Sequence, residues 1–440
     1  MGKVAKREKA IRDPVHGDVF IGVPDELSVI DSIEFQRLRG IRQLGTAYFV
    51  YPCALHTRFD HSLGSMAAAD RIIRAMERLT GEEVVSEEDE RVLRLSALLH
   101  DVSHMPFGHF LEDERNIFER HDSPSAFARF FNRGELASAL RRIGLAREVE
   151  SVLCGTHERR FLSEILTGGI CADLIDYLSR DSYFCGMTHG YDPRILRYFR
   201  IDGGELYIDC QKDGYLRHDV MSEIVNLLRL KCFLSERIYF HHAVMAAGAM
   251  ISKAVDCAIR KGLDRSLLFS MTDEGLLSYL EMRFGDLEPV GGLVGGLRRR
   301  RLYKRCYSLT GRIGPLRQEE LIAGFHIDRD RREEAERGLA KRLHVREGDL
   351  IISCPSSNMS LTEADVKVKT DGNPPVRLSS LGIPEIGVLR DRQRDLWRFC
   401  VFMAPHLSDR VKQISRVCED YFGERNQLEY LQSGQSFFEF

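Results

Sequence analysis

Leu98-Leu99-His100-Asp101-Val102-Ser103-His104 closes an apolar helical run with a His-Asp doublet. Arg58-Phe59-Asp60-His61 stands upstream, and Asp173-Leu174-Ile175-Asp176-Tyr177 downstream. Two imidazoles and two carboxylates suit a borderline-hard metal ion that holds an oxygen nucleophile. On a helix, His100 and His104 are i and i+4 and share a face. The doublet cannot complete a metal shell alone. His61 opens one further helix and Asp173 lies within another. His61, His100, Asp101 and Asp173 therefore offer four ligands from three helices, with positions left for water and a phosphate oxygen. The competing reading is a chance doublet that hydrogen-bonds in the core. A buried unpaired Asp is costly, and three more histidines lie nearby, which weakens that account.

Those histidines are His104, His109 and His121. An imidazole near its reference pKa works as acid or base, and an imidazolium binds phosphate. Arg58 precedes His61 by three, and a guanidinium there suits bidentate phosphate binding. Asp173, Tyr177, Arg180 and Asp181 are spaced 0, +4, +7 and +8 and share one helix face. A solvated polar stripe is the bland alternative. It leaves unexplained why Tyr177 shares that face with Asp173.

The 440 residues are 43% hydrophobic, enough for a large core and two domains, or one with an appendage. A net charge of -3 argues against a global nucleic-acid or membrane tether. Apolar stretches break well before about 18 residues, so no transmembrane helix is predicted. Met1–Lys6 is basic without an apolar segment, unlike a secretory signal, and Lys6 spoils a myristoylation reading. The 11 cysteines never form C-x-x-C, which predicts reduced thiols in a cytoplasm. Residues 10–30 read as extended segments and turns. An apolar stripe from Ile33 to Leu44, then helices at 61–79, 88–104, 123–132, 135–153, 160–185 and 220–260, make residues 1–260 a helical domain. Gly291–Gly296 reads as a loop. Strand-like runs at 305–309, 350–354, 365–370 and 398–403, with a charged helix at 329–343, make 261–440 a smaller α+β region packed on the core. The fold class is therefore mainly α.

Several further segments point the same way. They are Asp13-Pro14-Val15-His16-Gly17, Ile30-Asp31, Phe35-Gln36-Arg37-Leu38-Arg39 and Ile41-Arg42-Gln43-Leu44-Gly45. His56-Thr57-Arg58-Phe59-Asp60-His61-Ser62-Leu63-Gly64 follows, then Pro106-Phe107-Gly108-His109 after the doublet, then Asp176-Tyr177 and Arg180-Asp181. In this order they resemble the HD-domain phosphohydrolases, in the branch of the SAM-and-HD-domain deoxynucleoside triphosphate triphosphohydrolase and its bacterial relatives. The specific likeness runs from about residue 11 to 192.

The resemblance implies hydrolysis of deoxynucleoside triphosphates to deoxynucleoside and inorganic triphosphate in a helical HD-domain core. It implies one divalent or trivalent metal (Fe, Mn, Zn, Ni or Co) on His61, His100, Asp101 and Asp173, with Mg accompanying the nucleotide. Arg58 would hold the α-phosphate. His104, His109 and His121 would bind phosphate and move protons, with His121 protonating the leaving group. Gln43 and Leu44 would face sugar and base, and Tyr177 and Asp181 the deoxyribose. Asp31, Gln36 and Arg39 match positions that read a guanine nucleotide at a regulatory site, with GTP or dGTP as activator. A helix cap and solvated face is the competing reading for those three. A homo-oligomer, dimer or tetramer, is also implied, with its contacts in the C-terminal region.

One departure stands out. Close relatives carry a basic residue where this chain has Leu174. Loss of that cation costs a phosphate tail on the order of 1.5–3 kcal/mol if the contact is desolvated. It motivates an alternative substrate: a monophosphate, cyclic or signalling nucleotide. The Arg298–Arg305 run motivates another alternative, a nucleotide- or nucleic-acid-binding module with little catalysis, although such runs are more often solvated faces.

Overall fold

In the computed structural model, which describes residues 7–428 except 357, 358, 360 and 372, a reciprocal cap starts the first long helix. The Thr57 hydroxyl accepts from the Asp60 N–H, and the Asp60 carboxylate accepts from the Thr57 N–H. Helix α1 (Arg58–Thr80) follows and ends at Gly81, whose φ of 73° suits glycine. The cap fixes Arg58 and His61 in the first turn. Met1–Lys6 lies outside the described residues.

Ser86 caps α2 (Glu87–Leu99). This helix stops at Leu99, not at His104 as periodicity predicts. Tight turns take over, from the Val102 N–H to Leu99 O and from the His104 N–H to Asp101 O. The Arg37 guanidinium claims Val102 O at 2.7 Å. The 135–153 segment breaks at Gly144, φ 81°. The 160–185 segment breaks at Gly168-Gly169, giving Arg160–Thr167 and α3 (Ala172–Phe184). The 220–260 segment splits into α4 (His218–Leu234) and α5 (His242–Arg260), with a π turn and a His241 cap between them.

Two more helices follow, α6 (Asp273–Phe284) and α7 (Val290–Arg298). Helix α7 corrects the loop expected at Gly291–Gly296. Its glycines permit close approach: a Cβ on Gly291 would lie 1.9 Å from Gly285 O, and one on Gly296 3.0 Å from the Met250 methyl. Tertiary packing overrides the low helix propensity. Helix α8 (Arg329–Leu343) carries the charged segment.

Besides a short antiparallel pair, Gln211–Lys212 with Tyr215–Leu216, the strands are β1 (Glu8–Asp13), β2 (Gly17–Gly22), β3 (Phe199–Asp202), β4 (Glu205–Asp209), β5 (Lys304–Thr310), β6 (Leu350–Ser353), β7 (Lys367–Lys369), β8 (Val376–Arg377) and β9 (Arg398–Met403). The β1–β2 hairpin is antiparallel, and Asp13 Oδ1 accepts from the Val15 and His16 N–H groups in its turn. A second sheet runs β8-β7-β4-β3, with β4 and β7 parallel. The third is antiparallel, β5-β9-β6. It packs on α8 and Val411–Phe422 around the fully buried Trp397. Helix α5 has the length and apolar composition to cross a bilayer, but it is mostly buried as the axis of a core with α6 and α7. All 11 cysteines are free thiols.

Candidate metal centre

Helix α1, the turn after α2 and helix α3 converge on one small volume. His61 Nδ1 donates to Asp176 Oδ2 at 2.7 Å, and His100 Nδ1 donates to Ala97 O at 2.7 Å. These tautomers follow from the partners. Both Nε2 atoms then present lone pairs, and they face each other at 3.1 Å. Asp173 Oδ1 lies 2.9 Å from His61 Nε2 and 3.8 Å from His100 Nε2. Asp101 oxygens lie 3.8 and 3.7 Å from the same two nitrogens. Two opposed lone pairs and two carboxylates repel one another unless a cation or proton lies among them. A proton is the simplest such cation, and the field favours it. Burial works to lower the His61 pKa, but hydrogen bonds to Asp173 and Asp176 and the charge of Asp101 carry it up to about 10. His61, His100 and Asp101 form a donor group that could hold a divalent metal ion, and Asp173 Oδ1 adjoins both Nε2 atoms.

The supporting shell is dense. Asp176 accepts two hydrogen bonds from Arg180, at 2.9 and 2.8 Å, and one from His16 Nε2 at 2.7 Å. Arg180 also donates to Asp13 at 2.8 Å. Such partners fix the tautomer and orientation of a ligating imidazole. Gly64 makes room: a Cβ there would lie 2.0 Å from Asp176 Oδ1 and 2.2 Å from Arg180 Nη2.

Beside this centre stands a histidine trio, and its hub is Glu112. The Nδ1 atoms of His121, His109 and His104 lie 3.0, 3.4 and 3.5 Å from its carboxylate. His104 is therefore not on a shared helix face with His100. It stacks on His121 with ring centres 3.5 Å apart. Burial, helped by the charges of Arg58 and His121, lowers the His104 pKa to about 3, so this ring is neutral. His109 is half exposed; desolvation by the protein around it opposes its protonation, but the Glu112 hydrogen bond prevails and raises its pKa. The Glu112 carboxylate is shared by the three Nδ1 atoms, and the trio is a second donor group that could hold a cation. Arg58 Nη1 donates to Asp101 Oδ2 at 2.6 Å, forming the wall between trio and centre.

The other expected residues fall in two places. Asp181 Oδ1 accepts from His56 Nε2 at 2.8 Å, and Oδ2 from the Tyr239 hydroxyl at 2.6 Å. Tyr177 accepts from Lys231 at 2.7 Å. Gln43 Oε1 is shielded from water and has no hydrogen-bond partner among the described residues. Leu44 packs, partly buried, at the edge of the main core. Gln36 Oε1 accepts from Arg39 Nε at 2.9 Å, and the Arg39 guanidinium lies 3.5 Å from the centre of the Phe59 ring. Asp31 ends the short helix Asp25–Ile30 on the exposed surface. Sequence reasoning gave no role to Glu112, His16, His56, Lys231 or Tyr239. His16 and His56 stood within quoted motifs, and Glu112 lies three residues after His109, but long-range partners alone reveal what they do.

Residues 58–181 match the HD domain, and residues 226–427 match the HD associated region. This chain belongs to the HD-domain family. The HD-domain chain is 35% identical over 310 residues to an uncharacterized protein of Methanocaldococcus jannaschii, covering 69% of this chain and 60% of that one. It is 29% identical over 327 residues to the deoxynucleoside triphosphate triphosphohydrolase SAMHD1 homolog of Dictyostelium discoideum, covering 68% and 60%. Against the human SAMHD1 enzyme the figures are 28% over 283 residues, 56% and 44%. The chain thus spans about 60% or less of these curated relatives. Two solved structures share its fold. A hypothetical protein from Aquifex aeolicus superposes with a TM-score of 0.68 at 22% identity, covering 93% of this chain and 100% of that one. A phosphohydrolase from Bacteroides thetaiotaomicron gives 0.65 at 19%, covering 90% and 100%.

Proposed function

We propose that this HD-domain protein is a metal-dependent phosphohydrolase that converts deoxynucleoside triphosphates to deoxynucleoside and inorganic triphosphate. The observation that carries it is the pair of opposed Nε2 lone pairs ringed by Asp101 and Asp173, beside Arg58 and the Glu112 trio. His61, His100, Asp101 and Asp173 would hold the metal. When bound, a divalent ion there supplies Lewis-acid polarisation of a phosphoryl group and acidifies water. Arg58, already in the wall, neutralises charge that grows on the α-phosphoryl group. The leaving 5'-oxygen takes a proton from an imidazolium of the trio. His109 fits this task because it is half exposed and Glu112 sustains its charged form. His121 shares the same carboxylate and is the second donor. His104, neutral, positions phosphate and the stacked His121 ring. Tyr177 and Asp181 flank the sugar, and the orphaned Gln43 Oε1 offers an acceptor to the nucleoside. Asp31, Gln36 and Arg39 form the proposed GTP or dGTP site, and a homo-oligomer belongs to the same reading.

A second reading keeps the centre and changes the substrate to a less charged nucleotide. Leu174 is buried in the core and supplies no cation, and Lys231, which approaches Tyr177, is bound by Glu363. Metal analysis followed by product analysis separates the two. Dialysed protein should retain about one transition metal per chain. With a deoxynucleoside triphosphate, with and without GTP or dGTP, it should release intact triphosphate. Release of orthophosphate or pyrophosphate, or hydrolysis only of other nucleotides, overturns the first reading.

A further inference from the structure

Lys231 of α4 donates to the Tyr177 hydroxyl at 2.7 Å and to Glu363 Oε1 at 2.6 Å. Tyr177 is one helical turn beyond Asp173, on the same face of α3. Both members of the ion pair are shielded, at 18% and 13% side-chain exposure. Glu363 arrives from the Thr362–Asp365 turn of the HD associated region. Its place is built into the fold. A Cβ on Gly169 would lie 3.0 Å from Glu363 O and 2.8 Å from Val366 N, so glycine at the approach to α3 seats this turn. Ala364 is fully buried, and β7 begins at Lys367 and pairs with β4. A carboxylate from outside the HD segment is therefore fixed beside the face that carries Asp173.

This position matters because of what α3 lacks. With Leu174 in the core, that helix offers a phosphate tail no cation at 174. Lys231 is the cation held against Tyr177, and Glu363 already neutralises it. Outer phosphates reaching Lys231 must compete with a carboxylate of their own sign in a shielded site, where like charges repel strongly. A substrate with little charge beyond the scissile phosphate meets no such competition.

We propose that Glu363 is a specificity-determining residue that, by occupying Lys231, limits how tightly the cleft holds a polyphosphate tail without excluding the triphosphate of the proposed substrate. The inference rests on the reading that the Asp173 face is the substrate cleft. It is tested on the full chain with its metal, by calorimetric titration with inorganic triphosphate and with orthophosphate. Glu363→Gln should bind triphosphate at least five-fold tighter and change orthophosphate affinity by less than two-fold. Lys231→Gln placed in that variant should abolish the gain. Equal triphosphate affinity with and without Glu363, or an equal gain for both anions, overturns the proposal. So does an absence of triphosphate binding in every form. Wild-type protein gives an independent check should the variant not fold. It should prefer triphosphate to orthophosphate by less than ten-fold, and a preference above a hundred-fold overturns the proposal. No turnover is needed, so failure here differs from failure to release triphosphate from a nucleotide. Tighter triphosphate binding by Glu363→Gln in a protein that cleaves only other nucleotides leaves this inference standing.

Discussion

Gly64 is the residue on which the inner shell of the centre depends. Asp176 and Arg180 fill the space where its side chain would be, and both are fully buried. Gly64→Ala would force one of them aside, at a cost of about 1–3 kcal/mol for an overpacked core. Displacing Asp176 also frees the His61 ring, and loss of such a support weakens metal binding by about 10–100-fold. Thermal unfolding and metal titration check this, and an unchanged midpoint with full metal affinity contradicts it. Glu112 raises a different expectation. Its carboxylate gathers three imidazoles and sustains the His109 imidazolium. In Glu112→Gln the pKa of the proton donor falls, so the donor loses its proton at lower pH. The alkaline limb of the rate profile should move to lower pH, and kcat should drop by about 10²–10⁴-fold with metal content intact. His109→Ala and His121→Ala, compared at the same pH values, identify which ring supplies the limb. The residue types that gather at the centre were legible in the sequence because ligands have few chemical alternatives. Glu112 was not, because a glutamate among charged neighbours looks solvated until His104 and His121 fold over it.

Helix α7 shows why element boundaries were harder to read than element types. Helices with strong apolar stripes and side-chain caps, such as α1, are written locally: Thr57 and Asp60 start the helix and Gly81 ends it. Four glycines in Val290–Arg298 carry the opposite local signal, and the helix exists because Val290, Leu293, Val294 and Leu297 bury against α5 and α6 while Gly291 and Gly296 allow the close approach. The breaks at Gly144 and Gly168-Gly169 were hidden for a related reason, since the apolar period continues across them while the backbone turns. Strands β3 and β4 form a local antiparallel hairpin across Gly203-Gly204, but the sheet they belong to is completed by β7, which pairs with β4 from more than 150 positions away. Two substitutions separate packing from propensity. Gly292 is exposed and meets only the mobile end of the Glu288 side chain, so Gly292→Ala should be neutral or stabilise by up to about 1 kcal/mol. Gly291 faces the backbone carbonyl of Gly285, which cannot swing away, so Gly291→Ala should destabilise by about 1–3 kcal/mol. Denaturant midpoints of the two variants measure the difference. Equal stabilisation by both would mean that α7 is not closely packed.

Across the whole molecule, a buried ionic network joins the segment between His109 and His121 to the HD associated region. Arg115 donates to both oxygens of Glu336 on α8, at 2.9 and 3.2 Å, and Lys253 on α5 donates to Glu336 at 2.6 Å. Arg332 donates to the carbonyls of Glu114 and Arg115. Removing one member of such a network leaves an unpaired buried charge. Within it Glu114 is poorly served: Oε2 accepts from the Ser353 hydroxyl at 2.9 Å, but Oε1 is buried with no partner among the described residues. Burial therefore outweighs the pull of Arg332 and raises the Glu114 pKa from 4.5 to about 7. The sign of the consequence follows from proton counts. Between pH 4.5 and 7 the unfolded chain releases this proton while the folded chain keeps it. The unfolded state then binds fewer protons, so stability falls as pH rises across that window. Above pH 7 the folded protein carries the ionised, under-solvated group at a cost of about 3 kcal/mol. Glu114→Gln retains a partner for Ser353 and never ionises. It should match the wild type near pH 4.5, lose stability less steeply to pH 7, and exceed the wild type by about 3 kcal/mol at pH 8. Asp70 and Asp273, both raised to about 6, tilt the two profiles alike, so the difference between them isolates Glu114. Chemical denaturation at pH 5, 6, 7 and 8 gives that difference directly. Parallel profiles would mean that Glu114 is ionised in the folded protein and that Arg332 satisfies it fully.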